Sequence, residues 1–115
     1  MFTSICNAEQ NNIKYYSEEL GTLSIVYHRF DEKKYPSTNI QMNIFKKQLE
    51  IIINNNLKFI NPNKFADNFD SPKSEKKVLL TIDDAFLSFY EVAWPYLKNK
   101  KIPFILFVST EPIGK

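Results

Sequence analysis

The sequence predicts an α/β fold, and three observations carry that prediction. Runs rich in β-branched, aliphatic and aromatic residues occur at 23–27, 57–60, 78–82 and 104–108; helical periodicity fills the intervals after the first and third; polar, turn-forming residues separate the segments. Strand, helix, strand, short helix, strand, helix, strand is the alternation that generates parallel βα units. An open doubly wound sheet and a βα barrel both satisfy that order. At 115 residues, with 43% hydrophobic and 24% charged side chains, the chain is one domain at most.

Residues 1–21 form an arm ahead of the folded unit, which is placed at 22–115. Residues 1–8 are too short for a secretory signal yet end in small residues before Glu9-Gln10-Asn11-Asn12. They fit either the stump of a signal peptide whose front is missing or a frayed terminus. Leu23-Ser24-Ile25-Val26-Tyr27 is a buried strand, preceded by Gly21 and followed by charged Arg29, Asp31, Glu32 and Lys33. After a loop holding Pro36 and Ser37-Thr38-Asn39, the residues Phe45, Leu49, Ile52 and Ile53 recur at i, i+4, i+7 and i+8, one face of a helix. Asn54-Asn55-Asn56 stops that helix. Leu57-Lys58-Phe59-Ile60 is a short strand, Asn61-Pro62-Asn63 opens a turn, and residues 64–69 supply one or two helical turns.

The polar stretch 70–77 belongs on the surface and leads into Val78-Leu79-Leu80-Thr81-Ile82, apolar on both alternating faces as in a parallel strand covered on both sides. A helix follows from about Ala85, with Phe86, Tyr90, Ala93, Trp94 and Leu97 sharing an apolar face and Pro95 enforcing a kink or a new turn. Beyond Ile102-Pro103, Phe104-Ile105-Leu106-Phe107-Val108 reads as another strand buried on both faces.

Composition removes several classes of function. Fifteen basic against thirteen acidic residues leave a net charge of +2, too small to argue for nucleic acid or an anionic membrane. Gly21 and Gly114 are the only glycines, which rules out Gly-rich phosphate loops. Cys6 is the single cysteine, so there is no intrachain disulfide framework and no thiolate zinc cage. No apolar run approaches the roughly 18 residues of a membrane span.

Asp83 and Asp84 are the most informative residues. They end an apolar strand and start a helix, and ligands of parallel α/β sheets gather at the carboxyl ends of strands. Adjacent carboxylates repel unless a cation or proton is shared, so a divalent metal is a natural third party. An Asp at this position also serves as a helix cap, worth about 1 kcal/mol, and both roles can coexist on neighbouring residues. His28 ends the first strand on the same rim, where it could line a pocket or tune Asp83, or simply be a hydrogen-bonded structural histidine. Arg29 reads as solvated. The period of Phe86, Tyr90 and Trp94 favours core packing over a sugar-stacking platform.

Thr81-Ile82-Asp83-Asp84-Ala85 after a hydrophobic strand, then a helix with Trp94-Pro95-Tyr96-Leu97-Lys98 and the run Ile102-Pro103-Phe104-Ile105-Leu106-Phe107-Val108, resembles the first half of a polysaccharide deacetylase, the NodB-homology class of carbohydrate esterases. Tyr27-His28-Arg29, Phe45-x-x-Gln48-Leu49 and Phe59-Ile60 also look like that family, and the resemblance runs from about Leu23 to Gly114. It implies the amino-terminal βα units of a distorted (β/α) barrel, incomplete at this length. It makes Asp83 the general base, Asp84 a ligand of a divalent metal (zinc in the family), and His28 a candidate for the substrate pocket. The activity implied is hydrolysis of N-acetyl, or O-acetyl, groups on a carbohydrate polymer, in the cell envelope, the periplasm or outside the cell.

The family motif reads Thr-Phe-Asp-Asp-Gly. Ile82 for Phe is a change between apolar strand residues, whereas Ala85 for Gly matters only if that position needs a positive φ. The family completes its metal site with two histidines four positions apart further downstream, and His28 is the only histidine here. The resemblance therefore implies a reading frame that continues into a His-x-x-x-His motif. A carbohydrate-binding or assembly module that keeps the framework without the metal is the alternative. A two-component receiver domain fails on chain order, because its acidic pair follows the first strand and no Asp follows Asp84 here.

Overall fold

The computed structural model describes residues 22–68 and 76–111. The expected arm at 1–21 and most of the polar stretch at 70–77 lie outside the described residues. The described elements are β1 (Thr22–Tyr27), β2 (Arg29–Phe30), β3 (Asn39–Ile40), α1 (Met42–Asn54), β4 (Lys58–Phe59), β5 (Lys77–Ile82), α2 (Trp94–Lys100) and β6 (Ile105–Leu106). Two single 3₁₀ turns, Pro62–Lys64 and Ala66–Asn68, follow β4, and a π-helical turn, Phe89–Ala93, runs directly into α2.

The sheet is parallel and centred on β5. β1 pairs with β5 along its whole length, from Thr22↔Lys77 to Tyr27↔Ile82. β4 and β6 share the other side of β5, β4 at its start (Lys58↔Lys77) and β6 at its end (Ile82↔Leu106). The carbonyls of Val78 and Ile82 accordingly accept from Ile60 and Phe107, while the Asp83 N–H donates towards β1. β2 and β3 form a separate two-stranded parallel pair beside the rim, Arg29↔Asn39 and Phe30↔Ile40.

One face of this sheet carries the core. Leu80 and Ile82 of β5, with Ile25 and Tyr27 in register on β1, pack under Met42, Phe45 and Leu49 of α1 and under Phe89, Ala93 and Leu97. Phe45 sits at its centre, its ring edge-to-face with Tyr27 at 4.8 Å and with Phe30 at 4.9 Å, geometries that add to the area each ring buries. α1 starts where the Asp31 carboxylate, reaching over from the end of β2, accepts the Met42 N–H at 2.9 Å, a negative charge where the helix dipole favours one. It ends as the three asparagines predict: Asn56 takes a left-handed conformation (φ 59) and Leu57 N–H closes on the Ile52 carbonyl.

Pro95 is accommodated by the π-helical turn. The Trp94 N–H reaches back to the Phe89 carbonyl, five residues away, so the chain enters α2 with Pro95 in its first turn, where a missing N–H costs least. Two expectations change as a result. Helical turns begin at Leu87 rather than Ala85, and the buried stripe is Phe89, Ala93 and Leu97, leaving Tyr90 68% exposed. The wider turn and later start shift the phase of the helix relative to a regular 3.6-residue count. In α1, Ile53 likewise faces solvent, and Met42 takes the end of the stripe.

The run 104–108 is not the doubly buried strand its composition suggests. Only Ile105 and Leu106 pair, and Phe107 is 54% exposed, because the described residues place no further strand along β6. Val26 on β1 is exposed because it points to the sheet face opposite the helices.

Candidate functional site

The pairing of β1 with β5 assembles the site. Tyr27 opposite Ile82 sets His28 beside Asp83 at the carboxyl ends of adjacent strands, and the Asp83 N–H donates to the Tyr27 carbonyl at 2.8 Å. The next residues continue the match. His28 Nδ1 lies 3.3 Å from Asp84 Oδ2, Arg29 stacks on Phe86, and the Phe30 N–H donates to the Ser88 hydroxyl at 3.2 Å. Four consecutive residues, 27 to 30, thus contact the loop 83–88 in sequence.

Asp83 and Asp84 have different surroundings. Asp84 faces His28 across a long, solvent-exposed contact, with side chains 43% and 33% exposed; the carboxylate only accepts, so an Nδ1–H of the imidazole donates. The half-buried Asp83 side chain has no hydrogen bond or ion pair among the described residues. Neither acts as a helix cap: the helical turns open without a side-chain capping bond.

The backbone at the pair is strained. Asp84 (φ 66) and Ala85 (φ 50) are consecutive left-handed residues; an aspartate tolerates that region, whereas Ala85 with its Cβ is disfavoured there by roughly 1–2 kcal/mol. The positive φ that would make glycine the natural occupant of position 85 is therefore present, and Ala85 occupies it at a cost.

Arg29 is not solvated. Its guanidinium carbon stands 3.3 Å from the Phe86 ring centroid and 4.0 Å from that of Tyr35, and Nη1 donates to Glu32 Oε2 at 2.9 Å. Hydrogen bonding from Ser88, then Arg29 itself, holds the Glu32 carboxyl below the usual carboxylate range against an opposing effect of desolvation. Sequence reasoning missed this cluster and Ser88. The available signal was the contiguity of Tyr27-His28-Arg29-Phe30 at a strand end, which fixes one partner of a rim loop residue by residue.

His28 and Asp84 are two potential metal ligands in contact, one short of the three protein ligands normal for a catalytic zinc. No group of three or more His, Cys, Asp or Glu side chains suited to a metal occurs among the described residues. These residues alone therefore do not fit a complete site. No helix among them is long and apolar enough to cross a membrane.

The mixed α/β architecture with its parallel sheet is that of a partial (β/α) barrel shared with deacetylase structures. IcaB from Ammonifex degensii is 33% identical, with a TM-score of 0.71 over 83% of this chain and 41% of its own. A de-N-acetylase from Aggregatibacter actinomycetemcomitans (22% identical, TM-score 0.68, 82% of this chain and 41% of its own) shares the fold. So does the Streptococcus pyogenes deacetylase PplD, solved in complex with acetate (22%, TM-score 0.66, 80% and 44%). The chain is related to the polysaccharide deacetylase family and spans about 41% of the length of the first two of these structures. No family profile matches it, and no curated protein is significantly similar in sequence.

Proposed function

We propose that this chain is part of a metal-dependent hydrolase that removes N-acetyl, or O-acetyl, groups from a carbohydrate polymer. The observation that carries the reading is the unpartnered Asp83 carboxylate beside the His28–Asp84 pair, at the strand ends of a fold shared with deacetylases. Asp83 takes a proton from the attacking water as its oxygen bonds to the acetyl carbon. The C–N bond, or C–O bond of an O-acetyl group, then breaks as the leaving atom takes up the proton that Asp83 removed, giving the free amine or hydroxyl and acetate, with the acid proton of the acetate passing to solvent. Asp84 would be one ligand of a divalent cation, zinc by the family resemblance, whose chemistry is polarisation of the acetyl carbonyl; its remaining ligands are not among the described residues. His28, in contact with Asp84, is the candidate for meeting the substrate.

In the protein that contains the whole domain, Asp83→Asn is expected to reduce acetate release from an acetylated oligosaccharide by about 10²–10⁴-fold with metal content unchanged. Asp84→Asn is expected to lose the metal, measured by elemental analysis. Unchanged acetate release from the Asp83 variant overturns the assignment of the base. Oligosaccharide binding without any acetate release replaces the reading with the carbohydrate-binding module.

A further inference from the structure

We propose that Arg29 is a positioning residue for the Asp83–Asp84 turn, acting through the ring of Phe86. The inference deepens the reading above and rests on it, since it concerns the geometry of the same two carboxylates. Arg29 touches neither of them. It touches the residue that follows the two left-handed positions, and so fixes where the turn must end.

Two backbone bonds hold the segment 83–86. The Asp83 N–H is tied to the Tyr27 carbonyl at its start, and the Phe86 carbonyl accepts from the Phe89 N–H at its end. Between these ties, Asp84 and Ala85 hold left-handed angles that an aspartate tolerates but an alanine does not favour, and such a strained residue persists only where the surroundings over-determine it. The His28–Asp84 contact is long and open to water, so it holds little.

Besides the Phe30 bond to Ser88 just beyond the turn, the Phe86 ring is its nearest side-chain restraint. Its partner guanidinium is 17% exposed, lies between two aromatic rings, and is held in place by Glu32. A planar, weakly hydrated guanidinium stacks on ring faces in a way a lysine ammonium does not, which explains an arginine at this position. Tyr35 and Glu32 orient Arg29, Arg29 orients Phe86, and Phe86 sets the exit of the turn that aims Asp83 and Asp84.

The test uses Arg29→Lys, Phe86→Leu and the double variant of the full chain, read by NMR. Each single change is expected to abolish the left-handed backbone couplings of Asp84 and Ala85 while the contacts among Tyr27, Phe30 and Phe45 survive. The double variant is expected to match the singles, because both remove one interaction. Wild-type couplings at Asp84 and Ala85 in either single variant overturn the proposal. So does loss of the Phe45 contacts, which would make the cluster part of the core rather than a support for the turn.

Where acetate release is measurable, kcat is expected to fall on the order of 10²-fold with KM unchanged. An inactive unaltered protein counts against the proposed function, and the Asp84 and Ala85 couplings still decide the role of Arg29.

Discussion

Replacing Ala85 by glycine should stabilise the protein. Ala85 sits at φ 50, directly after Asp84 at φ 66. A residue with a Cβ in this region costs roughly 1–2 kcal/mol, which glycine avoids. Against this, glycine gives the unfolded chain more freedom, a loss of about 0.4–1 kcal/mol. Taking the middle of each range, the net expectation is a gain of about 0.8 kcal/mol, or roughly 3–6 °C in Tm for a domain of this size. Urea and thermal unfolding followed by circular dichroism measure it, with an unchanged urea m-value showing that the gain belongs to the folded state. Lys101→Gly is the internal control, because Lys101 is also left-handed (φ 54) at the end of α2. An Ala85→Gly protein that melts at or below the wild type, while Lys101→Gly melts higher, refutes the strain argument. Ala85→Val should move Tm the other way, since β-branching aggravates the same clash.

Other substitutions and conditions probe the same frame. Ser88→Ala removes the acceptor for the N–H of Phe30, a residue only 1% exposed, and is expected to cost about 1–3 kcal/mol in urea unfolding, with Ser88→Thr restoring part of it. Phe45→Ala empties the centre of the aromatic cluster and is expected to cost about 3–5 kcal/mol, enough to leave a poorly dispersed NMR spectrum. Burial raises the phenols of Tyr27 and of Tyr96, the latter helped by the charge of Glu50. A raised folded-state pKa means their stabilising effect is complete below the ordinary value of 10.0 and is lost as pH climbs through the raised values. Absorbance at the phenolate band, taken alongside unfolding curves, should show late ionisation coinciding with falling stability.

What could be read in the sequence follows from how local its cause is. The run Val78-Leu79-Leu80-Thr81-Ile82 became the central strand because its neighbours cover it on both sides, and the Asn triplet ended α1 because asparagine tolerates the left-handed angle that stops a helix. The acidic pair could be placed at a strand end from spacing alone. Phe30 could not be identified as core, since it stands alone between Arg29 and Asp31 and its burial comes from a two-residue pairing with Ile40 and from α1. Arg29 looked like a solvated loop cation for the same reason: its partners Tyr35 and Phe86 are 6 and 57 positions away. The π-helical turn left no periodic trace, and it moved Tyr90 from the expected core to solvent. At 104–108 an apolar run predicted burial, but whether such a run is buried depends on what lies against it.

The strained turn also explains why the rim is built from one uninterrupted strip. The left-handed Ala85 costs roughly 1–2 kcal/mol, and Asp84 adds less than that. The bond from Asp83 to Tyr27 and the bond from Phe30 to Ser88 each return about 1 kcal/mol. The partly desolvated stack of Arg29 on Phe86 returns about 0.5–2 kcal/mol. These gains are at least as large as the strain, so the contacts together hold the turn in shape. The His28–Asp84 contact is the most exposed of the set and contributes least to that balance, so its two side chains can let go of one another without losing the turn. Rigidity is supplied by Arg29, Phe30 and Ser88, which are better shielded from water than the Asp84 carboxylate.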